Sequence, residues 1–405
     1  MSATPEATLH WTESGQACSA LWRSERGAPA PRRVQLADDT LSADAAYKLA
    51  CEGTALLWRG DFQNARQLLQ ALARRADRPA RRAGAPAKGP SADAGLEAGK
   101  PAAGGQAFHR YRQAQSQRAR VLGMLLLQFG PDFSLDLRRA PDARQACAEA
   151  WGPPHPAQGC VASMRELLGL ISAHEWRKKG VEVPALGPPP GNRIYPHYGV
   201  FSPVRGEYVA LVLRAPLPAG ASIHPVFDVG TGTGVLAAVL ARRGLTRIVA
   251  TDQEPRALAC ARENLQRLDV AGSVDLVQAN LFPDAASHGK AALIVCNPPW
   301  IPARAGSPIE HAVYDEESRM LLGFLGGLAG HLLPSGEGWL ILSNIAELLG
   351  LRTRDDLLRA VDAAGLRVLG RMDTQPRHPK ATDPSDPLHS ARSAEVTSLW
   401  RLGAC

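Results

Sequence analysis

Three glycines at alternate positions, in Val226-Phe-Asp-Val-Gly-Thr-Gly-Thr-Gly-Val-Leu-Ala237, constrain this chain more than any other stretch. Val226, Phe227 and Val229 form a short apolar run that reads as a buried strand. Leu236, Val239 and Leu240 recur at helical spacing and read as the inner face of the helix that follows. Gly230, Gly232 and Gly234 lie between them, where a tight turn must let backbone approach a ligand. A strand, a glycine turn and a helix N-terminus together make a nucleotide-binding corner. The run is G-x-G-x-G, whereas the dinucleotide pattern G-x-G-x-x-G would put its third glycine at Val235.

A second strand is expected over Arg247–Thr251, ending in Asp252 about twenty residues after the glycines. A carboxylate there is placed to accept both hydroxyls of a ribose. At this point a nucleoside cofactor is implied, and NAD and S-adenosylmethionine remain equal alternatives.

A third apolar run, Ala291–Cys296, leads directly into Asn297-Pro298-Pro299-Trp300. The two prolines fix the backbone and remove amide donors. Glycine turn, acidic residue and tetrapeptide, in this order, resemble the amino- and amide-methylating branch of the class I S-adenosylmethionine methyltransferases, whose signature is [Asn/Asp]-Pro-Pro-aromatic. Upstream, Tyr195 to Val212 resembles the segment before the first strand of the HemK/PrmC-type glutamine methyltransferases of release factors. Gly199, Val200, Pro203, Glu207, Leu211 and Val212 match that pattern, with one extra residue in the middle. In that family the segment closes over the cofactor.

The resemblance implies S-adenosyl-L-methionine as cofactor. Gly230, Gly232 and Gly234 would lie under its methionine and ribose portions, Asp228 near the ammonium and Asp252 on the ribose. Asn280 stands where the family usually has an Asp that reads the adenine amino group. Catalysis would rest on Asn297, Pro298 and Trp300: the Asn297 side-chain oxygen and the Pro298 carbonyl accept from the attacking nitrogen, and Trp300 stacks on its flat group. Such a nitrogen is a poor nucleophile until its lone pair leaves the π-system, so position and acceptor dipoles do the work. No metal is required. Trp300 stands where the release-factor enzymes usually carry Tyr, and the resemblance covers about half the chain.

The expected fold is α/β, a doubly wound Rossmann-like seven-stranded sheet over residues 184–405 with the last strand antiparallel. Before it, residues 1–183 read as a helical region, with 77–106 a flexible linker of Ala, Gly, Pro and Ser. Within that region residues 1–35 read as a loosely docked arm. Helical patterns are expected from Ser42 to Gly60, over Phe62–Arg75 with Asp61 as N-cap, over His109–Gln128 and over Met164–Trp176.

Charge divides along the same line. The net charge is +7, and residues 1–190 carry the whole excess, while 191–405 balance. A basic half attached to a neutral half points to a polyanionic partner such as RNA, or to a solvated surface. The seven cysteines form no C-x-x-C pair and read as reduced structural thiols. No signal core or membrane-length apolar window is found, so a cytoplasmic protein without membrane association is expected.

The acceptor stays open among three classes. A protein glutamine side chain is the first, an adenine or guanine amino group in RNA or DNA the second, and a non-catalytic cofactor-binding module the third. The proline-rich loop from Asp373 to Glu395 should emerge at the carboxyl edge of the sheet, where ligands bind. Pro299, Arg377, His378 and His389 are therefore the expected acceptor-binding residues.

Overall fold

The computed structural model describes residues 7–77, 104–204, 206–306, 308–376, 383, 384 and 386–405. The chain divides into two compact units, Met1–Ile171 and Ser172–Cys405. The division falls twelve residues before the expected boundary at 183.

The first unit is not a helical region. It contains a six-stranded mixed sheet built from β1 (Thr8–Glu13), β2 (Gln16–Trp22), β3 (Arg33–Ala37), β4 (Thr54–Trp58), β5 (Leu125–Phe129) and β6 (Cys160–Ser163). Its helices are α1 (Ala43–Cys51), α2 (Phe62–Ala76), α3 (Gly104–Leu122), α4 (Arg144–Trp151) and α5 (Met164–Lys179), the last running across the division. Strand order is β1-β2-β6-β5-β4-β3, with β3, β4 and β5 parallel.

Within the expected arm over residues 1–35, Thr8–Glu13 and Gln16–Trp22 form a hairpin. Glu13 pairs with Gln16 across a two-residue turn in which Ser14 and Gly15 both have positive φ, 49° and 79°. That is the twist a tight antiparallel connection needs, and Leu9 and Trp11 alternate inward from it. The pattern ending at Gly60 is helix only as far as Cys51. Ala55 to Trp58 are all buried, as in a central parallel strand covered on both faces. Asp61 caps α2 as expected, its side chain accepting from the Gln63 amide. The expected linker at 77–106 lies mostly outside the described residues, except that α3 already begins at Gly104.

The second unit opens with a short antiparallel pair, β7 (Val181–Glu182) and β8 (Arg193–Ile194), then α6 (Glu207–Arg214). The main sheet follows as β9 (Val226–Val229), α7 (Val235–Arg242), β10 (Ile248–Asp252), α8 (Pro255–Arg267), β11 (Val274–Gln278), α9 (Ala285–His288) and β12 (Ala291–Cys296). It is completed by α10 (Arg319–His331), β13 (Leu332–Ser343), α11 (Ile345–Leu348), α12 (Arg354–Ala363), β14 (Leu366–Thr374), α13 (His389–Ser393) and β15 (Thr397–Ala404).

Seven strands lie in the order β11-β10-β9-β12-β13-β15-β14, and only β15 runs against its neighbours. The order reverses at β9, so β10 and β12 flank it and open a crevice at their carboxyl ends. α6, α7 and α8 contribute to the hydrophobic cluster that includes Leu211, Val239 and Leu265, and α10 and α12 to the one that includes Phe324 and Leu357. The doubly wound α/β architecture is therefore as expected. Among the described residues no helix is long and apolar enough to cross a membrane.

Candidate active site at the carboxyl edge of the sheet

The glycine corner begins where β9 ends. Gly230, Gly232 and Gly234 all take positive φ, at 74°, 54° and 81°, which L residues with a Cβ rarely adopt. Their surroundings differ. A Cβ at Gly234 would lie 3.2 Å from Ala261 Cα, and one at Gly230 would lie 2.6 Å from Met320 Cε. Nothing stands within 4 Å of a Cβ at Gly232. The outer two glycines thus let α8 and the start of α10 pack closely, and the middle one faces open space. Backbone amides of Gly230 and Thr231 donate to the Thr251 carbonyl at 2.9 and 2.8 Å, tying the corner to β10.

Asp228 is buried at the centre of this edge. Its Oδ2 accepts from the Thr231 hydroxyl at 2.7 Å and the Ala237 amide at 3.0 Å, whereas its buried Oδ1 has no partner among the described residues. Burial pushes this carboxyl up to about 6; the Thr231 and Ala237 donors offset part of the rise and the nearby Asp252 charge adds to it. Asp252 closes β10 and accepts from the Gly232 amide and the Glu254 amide, each at 3.0 Å. Burial raises its pKa as well.

Two ionisable carboxylates at one strand edge, one with an unanswered oxygen, suit a cationic and hydroxyl-bearing ligand. The chain's own residues therefore fit the cofactor implied by the sequence: Asp228 for an ammonium, Asp252 for ribose hydroxyls, Gly232 for close backbone approach. Asn280 is exposed, just past β11. Leu281 beside it has φ of 71°, and its carbonyl is held by the Thr251 hydroxyl. This fixes the turn in which Asn280 sits.

On the other side of β9, the register pairs Val295 with Asp228 and Cys296 with Val229. Asn297 thus begins one step beyond the end of β9. Its Oδ1 accepts from the Trp300 indole at 2.9 Å. Because an indole N–H only donates, this bond identifies the facing atom as oxygen and fixes the amide's orientation. Trp300 is partly buried and packs against the apolar clusters on both faces of the sheet. It braces Asn297, a relation the tetrapeptide alone does not disclose. Oδ1 takes no second donor among the described residues. Pro298 is buried, and Pro299 is partly exposed beside it.

Two supports were not visible in the sequence. Asn264, fully buried on α8, accepts from the Tyr195 amide at 2.7 Å and donates to the carbonyls of Thr233 at 3.1 Å and Tyr195 at 3.3 Å. It staples the segment starting at Tyr195 to the glycine corner. His197 continues that attachment through Glu263, 3.0 Å away. Asp315, also buried, accepts from the Met320 and Leu321 amides, both at 3.0 Å, and so fixes the first turn of α10 over Gly230. A polar residue on an otherwise apolar helix face was the available signal for Asn264.

Of the expected acceptor-binding residues, Arg377 and His378 lie outside the described residues. His389 begins α13 and its buried Nδ1 has no partner among the described residues. β14 is parallel to β12, so the loop after it does leave at the Asn297 edge. However, β14 is three strands from β12 in the sheet, about 14 Å along the hydrogen-bonding direction.

In strand order the second unit has the doubly wound α/β fold of the class I S-adenosylmethionine-dependent methyltransferases. More particularly, residues 191–341 match the family described as the methyltransferase small domain. The chain is similar to a ribosomal protein L11 methyltransferase of Pelotomaculum thermopropionicum, 38% identical over 147 residues, covering 36% of this chain and 39% of the relative. It is 34% identical over 164 residues to a release factor glutamine methyltransferase of Cereibacter sphaeroides, covering 38% of this chain and 57% of the relative. A ribosomal protein L11 methyltransferase of Geobacter metallireducens is 30% identical over 190 residues, with 38% and 60% covered. The chain thus spans between two fifths and three fifths of the length of these relatives.

Proposed function

We propose that this protein transfers the methyl group of S-adenosylmethionine to a planar nitrogen, and that the nitrogen is a protein glutamine side-chain amide. The observation that carries this is the braced Asn297 amide, whose oxygen is held by the Trp300 indole at the end of the strand that pairs with the Asp228 strand. An N–H donated to that oxygen, and a second to the Pro298 carbonyl, would favour a pyramidal nitrogen with its lone pair free for in-line attack. The bound sulfonium supplies the electrophilic methyl. The protein supplies orientation and acceptor dipoles fixed before the reaction.

Relatives named as methylating release-factor glutamine or ribosomal protein L11 favour a protein acceptor. The test is incubation with tritiated S-adenosylmethionine and two defined acceptors. One is a folded protein domain displaying Gly-Gly-Gln, and the other an RNA with unpaired adenine and guanine. Label recovered as side-chain N-methylglutamine is the expected result. Label confined to the RNA would reassign the acceptor to a nucleobase, and cofactor binding without transfer to either would favour the non-catalytic alternative.

A further inference from the structure

The excess positive charge of the chain has a definite location in the first unit. The fifteen residues of α2 and nineteen of α3 contain seven arginines and no aspartate or glutamate. The two helices pack against each other. A solvated helix surface ordinarily mixes signs, because acidic and basic side chains three or four apart stabilise it and like charges repel. Here Arg75 pairs with Asp44 and Arg118 with Asp77, both carboxylates from outside the helices. Arg66, Arg74, Arg110 and Arg120 pair with no carboxylate among the described residues.

These four are arranged rather than scattered. Arg66, Gln70 and Arg74 are exposed at successive fourth positions on α2. Arg110, Gln113, Gln117 and Arg120 are exposed along α3 at spacings of three, four and three, within about 80° of arc. The arginines are about 12 Å apart along the first helix and about 15 Å along the second. Gln117 of the second stripe already orients the Arg120 guanidinium, and the half-buried Gln63, outside the first stripe, that of Arg66, both at 3.3 Å.

We propose that the α2 and α3 stripes form an RNA-docking surface. Guanidinium groups bind phosphate in bidentate fashion, and the interleaved glutamine amides both donate and accept, as contact with base edges and 2′-hydroxyls requires. An anionic membrane is the less suitable polyanion. Basic helices on membranes carry aromatic or aliphatic anchors, and the exposed large hydrophobic residues all lie elsewhere in the chain. This surface does not depend on the acceptor assigned above, since RNA bound here need not be the methylated molecule.

The full chain would be titrated against a fluorescein-labelled 30-nucleotide RNA with a hairpin and a single-stranded arm, by anisotropy between 50 and 300 mM KCl. The variant carrying R66Q, R74Q, R110Q and R120Q is expected to bind at least 30-fold more weakly at 100 mM KCl. The slope of log K against log salt should flatten by about 3, at 0.7–0.9 per lost phosphate contact. If the fourfold variant does not fold by circular dichroism, R66Q and R110Q alone, one on each helix, should each flatten the slope by 0.7–0.9. Affinity within twofold of the parent with an unchanged slope would overturn the proposal. So would tighter binding to the matching DNA or to phosphatidylserine vesicles than to the RNA.

Discussion

Replacing Asn297 by alanine is expected to lower kcat by about 10²–10³ while S-adenosylmethionine affinity stays within a few-fold. The asymmetry follows from where the side chain sits. Asn297 starts beyond β12, and its oxygen is oriented by Trp300 and not by any group of the glycine corner. Loss of one pre-positioned polar group facing the reacting atoms typically costs about 3–4 kcal/mol of barrier. Such a loss falls on kcat because the interaction forms with the acceptor nitrogen as it becomes pyramidal. Trp300→Phe separates bracing from stacking. It keeps an aromatic ring but releases the amide, so an intermediate loss of about tenfold in kcat is expected. Steady-state kinetics with the identified acceptor and calorimetry with the cofactor check both. An Asn297→Ala enzyme of full activity would remove the proposed catalytic role.

Asp228→Asn should strengthen the fold and weaken the ligand site together. In the folded protein the Asp228 carboxyl is raised from its ordinary 3.8 to about 6. The folded state therefore holds that proton more firmly than the unfolded chain does. Stability from this group is fully present below pH 3.8 and is lost as pH rises through about 6. At pH 8 the buried, half-satisfied carboxylate costs about 3 kcal/mol. Asparagine removes that cost and can still accept from Thr231 and Ala237, although it leaves its buried NH2 group unpaired, at about 1–2 kcal/mol. Without added ligand the variant should be about 1–2 kcal/mol more stable than the parent at pH 8, and no more stable at pH 4. Its affinity for S-adenosylhomocysteine should fall at least tenfold. Urea unfolding at the two pH values, with and without that ligand, measures all of this. Equal destabilisation at both pH values would mean that the carboxylate contributes to the fold and not to a ligand.

This trade is a common mark of a functional site, where a group is kept in a form the fold alone disfavours. It also helps to explain what the sequence could disclose. The strands around the glycine corner are legible because each is a short, mostly apolar run ended by a turn or an Asp or Asn. Val226–Val229 and Ala291–Cys296 occur with the expected bounds. The first unit is less legible for a related reason. Ala55–Trp58 and Leu125–Leu127 are buried strands without alternation, and a short continuous apolar run fits helix and strand alike. The Ser14-Gly15 turn is the local signal that Thr8–Glu13 pairs with the strand that follows it.

At the site, spacing disclosed what backbone continuity places, namely Asp228, the three glycines, Asp252 and Asn297. It did not disclose relations that arise only on packing. Asn264 reaches Tyr195 and Thr233 across 69 and 31 residues. The contact of Met320 with Gly230 depends on Asp315 holding the start of α10. Loop location was also less determinate than strand location. Topology puts the Asp373–Glu395 segment on the correct edge, yet the intervening β13 and β15 separate its strand from the Asn297 turn.

The central claim is that this strand edge methylates nitrogen with S-adenosylmethionine, and transfer of tritiated methyl into a cell lysate tests it most directly. The parent protein and Asn297→Ala would be run side by side, with protease- and nuclease-treated portions and identification of the labelled atom after hydrolysis. The account predicts label that depends on Asn297, disappears with protease and is recovered as an N-methyl amide. Label no greater than that of the Asn297→Ala control, or label found on oxygen or sulfur, would contradict it.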